Sequence, residues 1–170
     1  DAGGSWSPAL TSGTGVFDPT VDAAGTYTYT VTGTICANAT ADVVVTLETS
    51  PDAGTAGAVT YCDAGPGGDL FGELGGTPDA GGSWSPALTS GTGVFDPTVD
   101  AAGTYTYTVT GTVCANATAD VVVTIETSPD AGTAGSHTFC STDGTADLFA
   151  DLGGTPDAGG SWSPALTSGT

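Results

Sequence analysis

Four cysteines are the residues of this chain best suited to covalent chemistry. They are Cys36, Cys62, Cys114 and Cys140. Four cysteines allow three different disulfide pairings. A disulfide needs two Cα atoms within about 4.4–6.8 Å of each other, so the choice among the pairings depends on the fold. Free buried thiols are the alternative to any of them.

Carboxylates are the second group with chemical potential, because calcium prefers hard oxygen ligands. Glu126 and Asp130 bracket one Pro-containing segment, and Asp96 and Asp100 bracket another. Neither pair belongs to the D-x-D-x-D-G loop of a dedicated calcium site, and acidic side chains on an acidic protein are most often simply solvated. We therefore predict no cofactor and keep calcium at these carboxylates as the alternative.

The nucleophile, base and phosphate-binding patterns are each better explained by structure than by catalysis. His137 is the single histidine, and the matching position of a second, nearly identical segment is Val59, which argues against a catalytic base. Ser83 and Ser85 flank Trp84 with no base near them in the sequence. The Gly-rich segments lack the strand–loop–helix context and the Lys of a phosphate-binding loop. The sequence therefore predicts a non-enzymatic protein without catalytic or cofactor-binding residues.

The charge of the chain excludes whole classes of partner. The 170 residues contain no Lys or Arg and 19 Asp plus Glu, a formal net charge of −19. Such a surface repels phosphate backbones and anionic membranes, so we expect no nucleic-acid binding. No apolar stretch is long enough to span a membrane, so we expect no membrane insertion in this segment. Trypsin-like proteases find no cleavage site in it, which favours an extracellular location.

A tandem repeat determines where all these residues lie. The segment D-A-G-G-S-W-S-P-A-L-T-S-G-T occurs at 1–14, 79–92 and 157–170, which defines a period of 78 residues. This period exceeds the roughly 20–50 residues of solenoid units. It suits a small independent domain of the all-β kind.

Strict alternation of residue types predicts strands within each period. In G-T-Y-T-Y-T-V-T-G, residues 103–111, the tyrosines face one side and the threonines the other, as in a half-buried strand. A second clear strand covers 119–127, and residues 69–76 fit a short strand or one helical turn. Shorter strand candidates are 58–62, 81–87 and 93–99. About six or seven short strands per period predict a compact all-β sandwich with Greek-key connections.

One motif resembles the immunoglobulin-like fold. D-A-A-G-T-Y-T-Y-T-V, residues 100–109, looks like the segment that leads into a tyrosine corner. The resemblance makes Tyr105 the corner tyrosine and places Tyr107 where many such domains have Cys. It also makes Trp84 the buried tryptophan of the facing strand. These three aromatic residues are the core markers that it implies.

The whole period resembles the tandem immunoglobulin-like repeats of large secreted Bacteroidota surface adhesins, of the gliding-motility type. The resemblance rests on D-L-F-G-E-L-G-G-T-P-D-A-G-G-S-W-S-P-A, on G-V-F-D-P-T-V-D-A-A-G-T-Y-T-Y-T-V-T-G-T-V-C and on A-T-A-D-V-V-V-T-I-E-T. It implies a bacterial protein, exported to the cell surface, in which such modules often number in the tens. It carries over no catalytic residue.

The immunoglobulin-like topology selects one cysteine pairing. In that topology the strand that ends at Cys62 and the strand before Cys114 run in the same direction and end at the same pole. We therefore expect a Cys62–Cys114 disulfide, with Cys36 and Cys140 paired to cysteines outside the sequence. A Cys36–Cys62 pair would join equivalent poles of successive domains, about 35–40 Å apart, and is rejected.

A last strand that ends near Thr127 sets the domain frame. Residues 1–50 are then the C-terminal part of one repeat, 51–128 a complete repeat, and 129–170 the N-terminal part of the next. The junctions at Pro51 and Pro129 are so short that successive domains must nearly touch. We therefore expect a semi-rigid stalk or fibre with a structural or adhesive role. Its partners would be neighbouring repeats, other copies of the chain, and surface glycans or substrata.

Two other functions are kept as alternatives. Residues 129–170 contain the early strands of a repeat and 1–50 the later ones, so copies of the chain could complete one another in a self-assembling extracellular filament. A carbohydrate-binding module of a secreted protein is the second alternative. Such modules usually expose several aromatic side chains on one face, whereas most aromatic residues here fall at inward-facing positions.

Overall fold

The computed structural model describes residues 3–13, 15–91 and 93–166. Within these ranges the regular structure is β, apart from two short 3-10 turns. The strands are β1 (Ser5–Ser7), β2 (Gly25–Val31), β3 (Ala39–Val45), β4 (Gly57–Cys62), β5 (Ser83–Ser85), β6 (Gly103–Val109) and β7 (Ala117–Glu126); the turns are η1 (Leu70–Glu73) and η2 (Leu148–Asp151). The described chain therefore has the all-β character that the alternating sequence predicts.

The strands form two sheets that repeat the same plan. A three-stranded sheet has the order β1-β2-β3, and a four-stranded sheet has the order β4-β7-β6-β5. One period of 78 residues separates β1, β2 and β3 from β5, β6 and β7, so the repeated sequence forms the same three strands twice. The fourth strand, β4, lies parallel to β7, with Cys62 opposite Glu126.

The two faces of these strands follow the alternation of their side chains. In the antiparallel β2–β3 pair, Tyr27 lies opposite Val43, and Thr28 lies opposite Asp42. The Thr28 hydroxyl donates a hydrogen bond to the Asp42 carboxylate at 2.7 Å, on the exposed face. Apolar residues thus line one face while threonines and carboxylates pair on the other.

Contacts divide the chain into two compact units. The first extends to Gly54 and includes Gly76–Ser83 and Thr108–Ala119, and the second contains Thr55–Gly75, Trp84–Tyr107 and the chain from Asp120 onward. These units do not coincide with the frame of 51–128, because residues 108–119 cluster with the chain that precedes Gly54. The contacts responsible are described below.

The core of the second unit is built around Phe95, which is 0 % exposed. Tyr61 stacks on its ring with a centroid distance of 5.2 Å, and Tyr105 meets its edge at 5.7 Å. The largest fully buried side chains of the described chain are Phe95, Leu70, Val121 and Val123. This core combines β4, η1, β6 and β7, so it needs residues from most of one period.

The three predicted core markers differ in burial. Tyr105 and Tyr107 are buried, at 4 % and 3 % exposure. Trp84 is only half-buried, although its ring lies 5.0 Å from that of Tyr107. The expectation of a buried tryptophan is wrong for Trp84, because β5 is a three-residue strand at the edge of its sheet.

The strand predicted over residues 93–99 is also wrong. This segment makes one isolated bridge, Gly68↔Phe95, and then turns. The backbone N–H groups of Val99 and Asp100 both donate to the Asp96 carbonyl, at 3.0 and 2.7 Å. Pro97 limits strand pairing here because it has no N–H to donate.

The same strands are less covered in the first unit. Val43, equivalent to Val121, is 49 % exposed, whereas Val121 is fully buried. The sequence contains no β4-type segment one period before β4. Residues 135–140, which are equivalent to β4, form no strand, and the sequence contains no β7-type segment in register to pair with them. The β4 segment is therefore a strand only where β7 is present to pair with it.

Phe95→Ala should destabilise the second unit by about 3–5 kcal/mol, the usual cost of deleting a fully buried aromatic ring. The equivalent Phe17 is half-buried, so Phe17→Ala is the matched control and should cost clearly less. Hydrogen exchange of the Val121 and Val123 amides measures the unfolding free energy of the second unit, and exchange of the equivalent Val43 and Val45 amides measures that of the first unit, which contains Phe17. Equal costs for the two substitutions would contradict the assignment of Phe95 to the core.

Candidate functional site

Four hydrogen bonds converge on the carboxylate of Glu48 in the first unit. Oε1 accepts from the Thr112 backbone N–H at 2.7 Å and from its hydroxyl at 2.8 Å. Oε2 accepts from the N–H groups of Val113 and Cys114, both at 2.6 Å. We call Glu48 together with residues 112–114 the Glu48 clamp.

The loop between β6 and β7 is shaped to present these donors. The Asn116 side chain accepts from the Gly111 N–H at 3.2 Å and closes the base of the loop. A Cβ at position 111 would collide with the Cys114 carbonyl oxygen and approach Pro51 Cγ to 3.2 Å, so only glycine fits there. Three successive backbone N–H groups then point to one side, which is the arrangement of an anion-binding nest.

The nest controls the charge state of Glu48. Hydrogen bonds from the N–H groups of Thr112 and Cys114, followed by those from the Thr112 hydroxyl and the Val113 N–H, lower the pKa of Glu48 from 4.5 to about 2. Slight desolvation opposes this shift. Glu48 is therefore ionised under all but strongly acidic conditions, and the loop satisfies its charge without a basic side chain.

Both halves of the clamp occur in every period. Gly33 and Asn38 pin the loop that contains residues 34–36 with the same 3.2 Å hydrogen bond. Glu126 occupies the position equivalent to Glu48, one period later. Within the sequence, residues 34–36 have no equivalent of Glu48, and Glu126 has no equivalent of residues 112–114. Ile35, at the tip of its loop, is 97 % exposed.

The four cysteines are free in the structure, so the expected Cys62–Cys114 disulfide is absent. Cys62 lies opposite Glu126 at the C-terminal end of β7, whereas Cys114 precedes Ala117, the first residue of that strand. Ten residues of β7 separate the two positions, or about 30 Å at 3.3 Å per residue. The expectation assumed that both cysteines lie at the same pole, and the parallel β4–β7 pairing overturns it.

Three of the four carboxylates considered for calcium, those of Asp96, Asp100 and Asp130, accept local hydrogen bonds from backbone N–H groups. Asp100 is only 3 % exposed, and its oxygens accept from the N–H groups of Thr89, Ser90 and Asp96. Burial acts to raise the pKa of Asp100, but these hydrogen bonds outweigh it and lower the pKa below 3.8. This carboxylate therefore organises the turn before β6.

The carboxylates at the second junction also bind the backbone. Asp130 Oδ1 accepts from the Gly132 N–H at 2.7 Å, and the Asp130 N–H donates to Asp157 Oδ2 at 2.9 Å. Across residues 3–13, 15–91 and 93–166, no group of three or more His, Cys, Asp and Glu side chains is placed to hold a metal ion.

The candidate base and nucleophiles are not assembled into one site. His137 Nδ1 lies 2.8 Å from Asp151 Oδ2, and its ring stacks on Phe139 at 4.2 Å. Ser83 and Ser85 are exposed on β5, and no hydrogen bond of either to His137 occurs in the described part of the chain. The His–Asp pair is accordingly a surface contact.

An open apolar pocket in the second unit has a simple structural origin. It is lined in part by Phe149, Leu152 and Trp162. In the middle repeat, Tyr107 packs against the equivalent rings of Phe71 and Trp84. The pocket thus corresponds to the space that an equivalent of Tyr107 fills elsewhere, and we do not interpret it as a ligand site.

Comparison of the chain with protein-family models, curated proteins and solved structures found no match. No helix within the described ranges is long and apolar enough to cross a membrane.

The clamp was not predicted from the sequence, which suggested calcium as the alternative at Glu126 and Asp130. Glu48, the equivalent of Glu126 one period earlier, accepts hydrogen bonds from backbone N–H groups instead. The available signal was the co-occurrence, in every period, of a glutamate at the end of one strand and a G-T-x-C loop before the next. Their pairing over 64 residues is visible only in three dimensions.

Glu48→Gln should open the clamp, because an amide presents a neutral oxygen and a second set of donors to the nest. Hydrogen exchange at Val113 and Cys114 should accelerate roughly tenfold at neutral pH. Glu126→Gln is the matched control and should leave these amides unchanged.

The same clamp should be pH-dependent in a defined direction. The pKa of Glu48 is lowered on folding, so the contribution of the clamp is complete above pH 4.5 and is lost as the pH falls towards about 2. Amide exchange followed by NMR over this window measures it, and the Glu48→Gln chain should show no such transition at these amides. Protection in the wild-type chain that persists below pH 2 would contradict the role of Glu48.

Asp100→Asn should destabilise the turn before β6 by about 1–3 kcal/mol, because one of the three backbone N–H groups that the buried Asp100 carboxylate binds would face an amide donor. Asp120→Asn is the control: Asp120 is exposed and accepts only from the Thr106 hydroxyl at 2.7 Å. Chemical denaturation at pH 7 compares the two variants. Similar losses would show that burial of Asp100 has no energetic importance.

Proposed function

We propose that the chain is a non-enzymatic segment of a tandem array of immunoglobulin-like β-sandwich repeats, and that the array forms a semi-rigid stalk of an extracellular surface protein. The Glu48 clamp is the observation that carries this proposal. It joins residues 64 to 66 positions apart, which belong to the end of one repeat and to the β6–β7 loop of the next. In the proposed array, such a contact would fix the orientation of each repeat relative to the next.

The immunoglobulin-like assignment is supported by a hydrogen bond that occurs in both copies of the motif. The Tyr105 hydroxyl donates to the Ala101 carbonyl at 2.8 Å, and the Tyr27 hydroxyl donates to the Ala23 carbonyl at the same distance. A tyrosine that reaches back to the backbone just upstream is the arrangement of a tyrosine corner. Because Tyr105 is buried in the core, this hydrogen bond fixes the position of the backbone at Ala101, just before β6 begins.

A second set of contacts limits bending where the chain leaves the clamp. The Asp52 N–H donates to Asp79 Oδ2 at 2.9 Å, and the Asp79 N–H donates to the Asp52 carbonyl at 2.8 Å. Asp130 and Asp157 make the same two contacts one period later. The residue directly after each junction proline, Asp52 or Asp130, is therefore held by hydrogen bonds to the aspartate 27 residues later. Together with the fixed backbone of the proline, this supports a stiff connection.

The joint also fits the composition of the chain. The formal net charge is −19 and the chain contains no Lys or Arg, so no salt bridge to either side chain can join its repeats. Glu48 instead uses backbone N–H groups, which every repeat supplies. Mutual repulsion of the acidic surfaces would keep copies apart elsewhere, as suits an extended stalk, and the adhesin-like motifs of the sequence support a cell-surface location.

A self-assembling filament is the second candidate function, favoured by the incomplete edges of the terminal segments. Val43 and Val44 of β3 are 49 % and 71 % exposed, and residues 135–140 form no strand. Pairing of 135–140 from one copy with β3 of another would reproduce the parallel β4–β7 arrangement. This alternative requires association between chains, which the stalk does not.

Small-angle scattering on arrays of two, four and eight periods tests the stalk. The maximum dimension should grow linearly with the number of periods, and Glu→Gln at every clamp position should reduce it. Asn at every Asp120-type position is the control and should leave the dimension unchanged. Growth with the square root of the number of periods would overturn the proposal. Concentration-dependent association of the 170-residue chain would favour the filament.

A further inference from the structure

The thiol of Cys62 lies against the last residues of its own repeat. Cys62 is opposite Glu126 in the β4–β7 register, and its Sγ lies 3.1 Å from the Ser128 hydroxyl. Asp63 holds that serine by accepting from its N–H at 3.0 Å and from its hydroxyl. The first cysteine of a repeat is thereby placed beside residues 126–128.

The thiol of Cys114 lies against the last residues of the preceding repeat. Its Sγ is 3.7 Å from the Glu48 carbonyl oxygen and 3.9 Å from the Ser50 hydroxyl. The N–H of the same residue donates to the Glu48 carboxylate at 2.6 Å. The second cysteine of a repeat is therefore fixed beside residues 48–50 by the clamp itself.

Residues 48–50 and 126–128 are the same segment of the repeat. Both read E-T-S, and both are followed by P-D-A-G-T-A-G. In an array, one serine hydroxyl would therefore contact the Cys62-type thiol of its own repeat and the Cys114-type thiol of the following repeat. The serine Oγ lies 3.1 Å from the first type of sulfur and 3.9 Å from the second, so at one junction the two sulfurs would be at most about 7 Å apart. Rotation of the two cysteine side chains can close this gap.

We infer that successive repeats are cross-linked by a disulfide between the first cysteine of one repeat and the second cysteine of the next. This inference rests on the proposed array, because both thiols must meet at one junction. The partner of Cys62 is then the cysteine one period after Cys114, outside the sequence. Cys36, Cys114 and Cys140 likewise have their partners outside it, in keeping with four free thiols.

Formation of the cross-link is a two-electron oxidation by a disulfide reagent such as oxidised glutathione. One thiolate attacks a sulfur of the reagent and releases one glutathione thiolate, and the second thiolate then displaces the other glutathione. One S–S bond forms and one breaks, and the two protons of the cysteine thiols end on the two glutathione thiols. Cys62 is exposed and Cys114 is half-buried, so the reagent can reach the pair.

The test extends the full chain by a further copy of residues 93–170, which continues the period in register and adds copies of Cys114 and Cys140. Because the added copy has the same sequence as the original, the chain also carries Cys114→Ser, which leaves the added cysteine as the only one in a G-T-V-C segment. After equilibration with oxidised and reduced glutathione, cleavage at acidic residues and non-reducing peptide mapping should recover Cys62 linked to that added cysteine. Cys62→Ser should abolish this link, and Cys140→Ser should leave it in place.

Recovery of Cys62 linked to any other cysteine, or as a free thiol that alkylates fully, would overturn the inference. Hydrogen exchange of the same lengthened chain separates this failure from failure of the array. If Cys62 is free while the amides equivalent to Val113 and Cys114 in the added copy stay protected by Glu126, only the cross-link is removed. Loss of protection at those added amides would remove the joint itself, and with it the proposed stalk.

Discussion

The structure depends on carboxylates whose charge is satisfied by the backbone, because the chain has no Lys or Arg to do so. Glu48, Asp63 and Asp100 each accept backbone N–H groups, and the pKa of each is lowered. Each of these carboxylates holds a loop by its backbone, and Glu48 and Asp63 also accept from the hydroxyls of Thr112 and Ser128. Turns and junctions are therefore set by hydrogen-bond direction, which is more restrictive than the attraction between opposite charges.

A second constraint is that strands of one period depend on residues distant in the chain. β4 is a strand because β7 pairs with it, and the equivalent segment at 135–140, which shares three of its six residues, is irregular without such a partner. The loop of residues 112–114 depends in the same way on a residue distant in the chain, because it donates four hydrogen bonds to Glu48. The 78-residue period is thus a unit of sequence, while the contacts that stabilise it extend across the junctions.

The alternating sequence was sufficient to predict β2, β6 and β7 and the inward direction of Tyr105, because burial of one face of a strand needs only a period of two. It was not sufficient to choose the neighbour of β4. The same alternation fits pairing in either direction, and the wrong choice led to the Cys62–Cys114 disulfide. The clamp also escaped prediction, since no local pattern indicates which loop receives Glu48. Trp84 shows a third limit, because its edge position follows from sheet order and not from its type.

The presence of both halves of the clamp in every period has a genetic consequence. In the proposed array, insertion or deletion of whole periods by unequal recombination would leave each glutamate followed by a matching loop, with the E-T-S segment and both cysteines in register. A change that is not a multiple of 78 residues would leave one junction without its donor or its acceptor. The length of such an array could therefore change without altering any junction, whereas a shift of phase would break one.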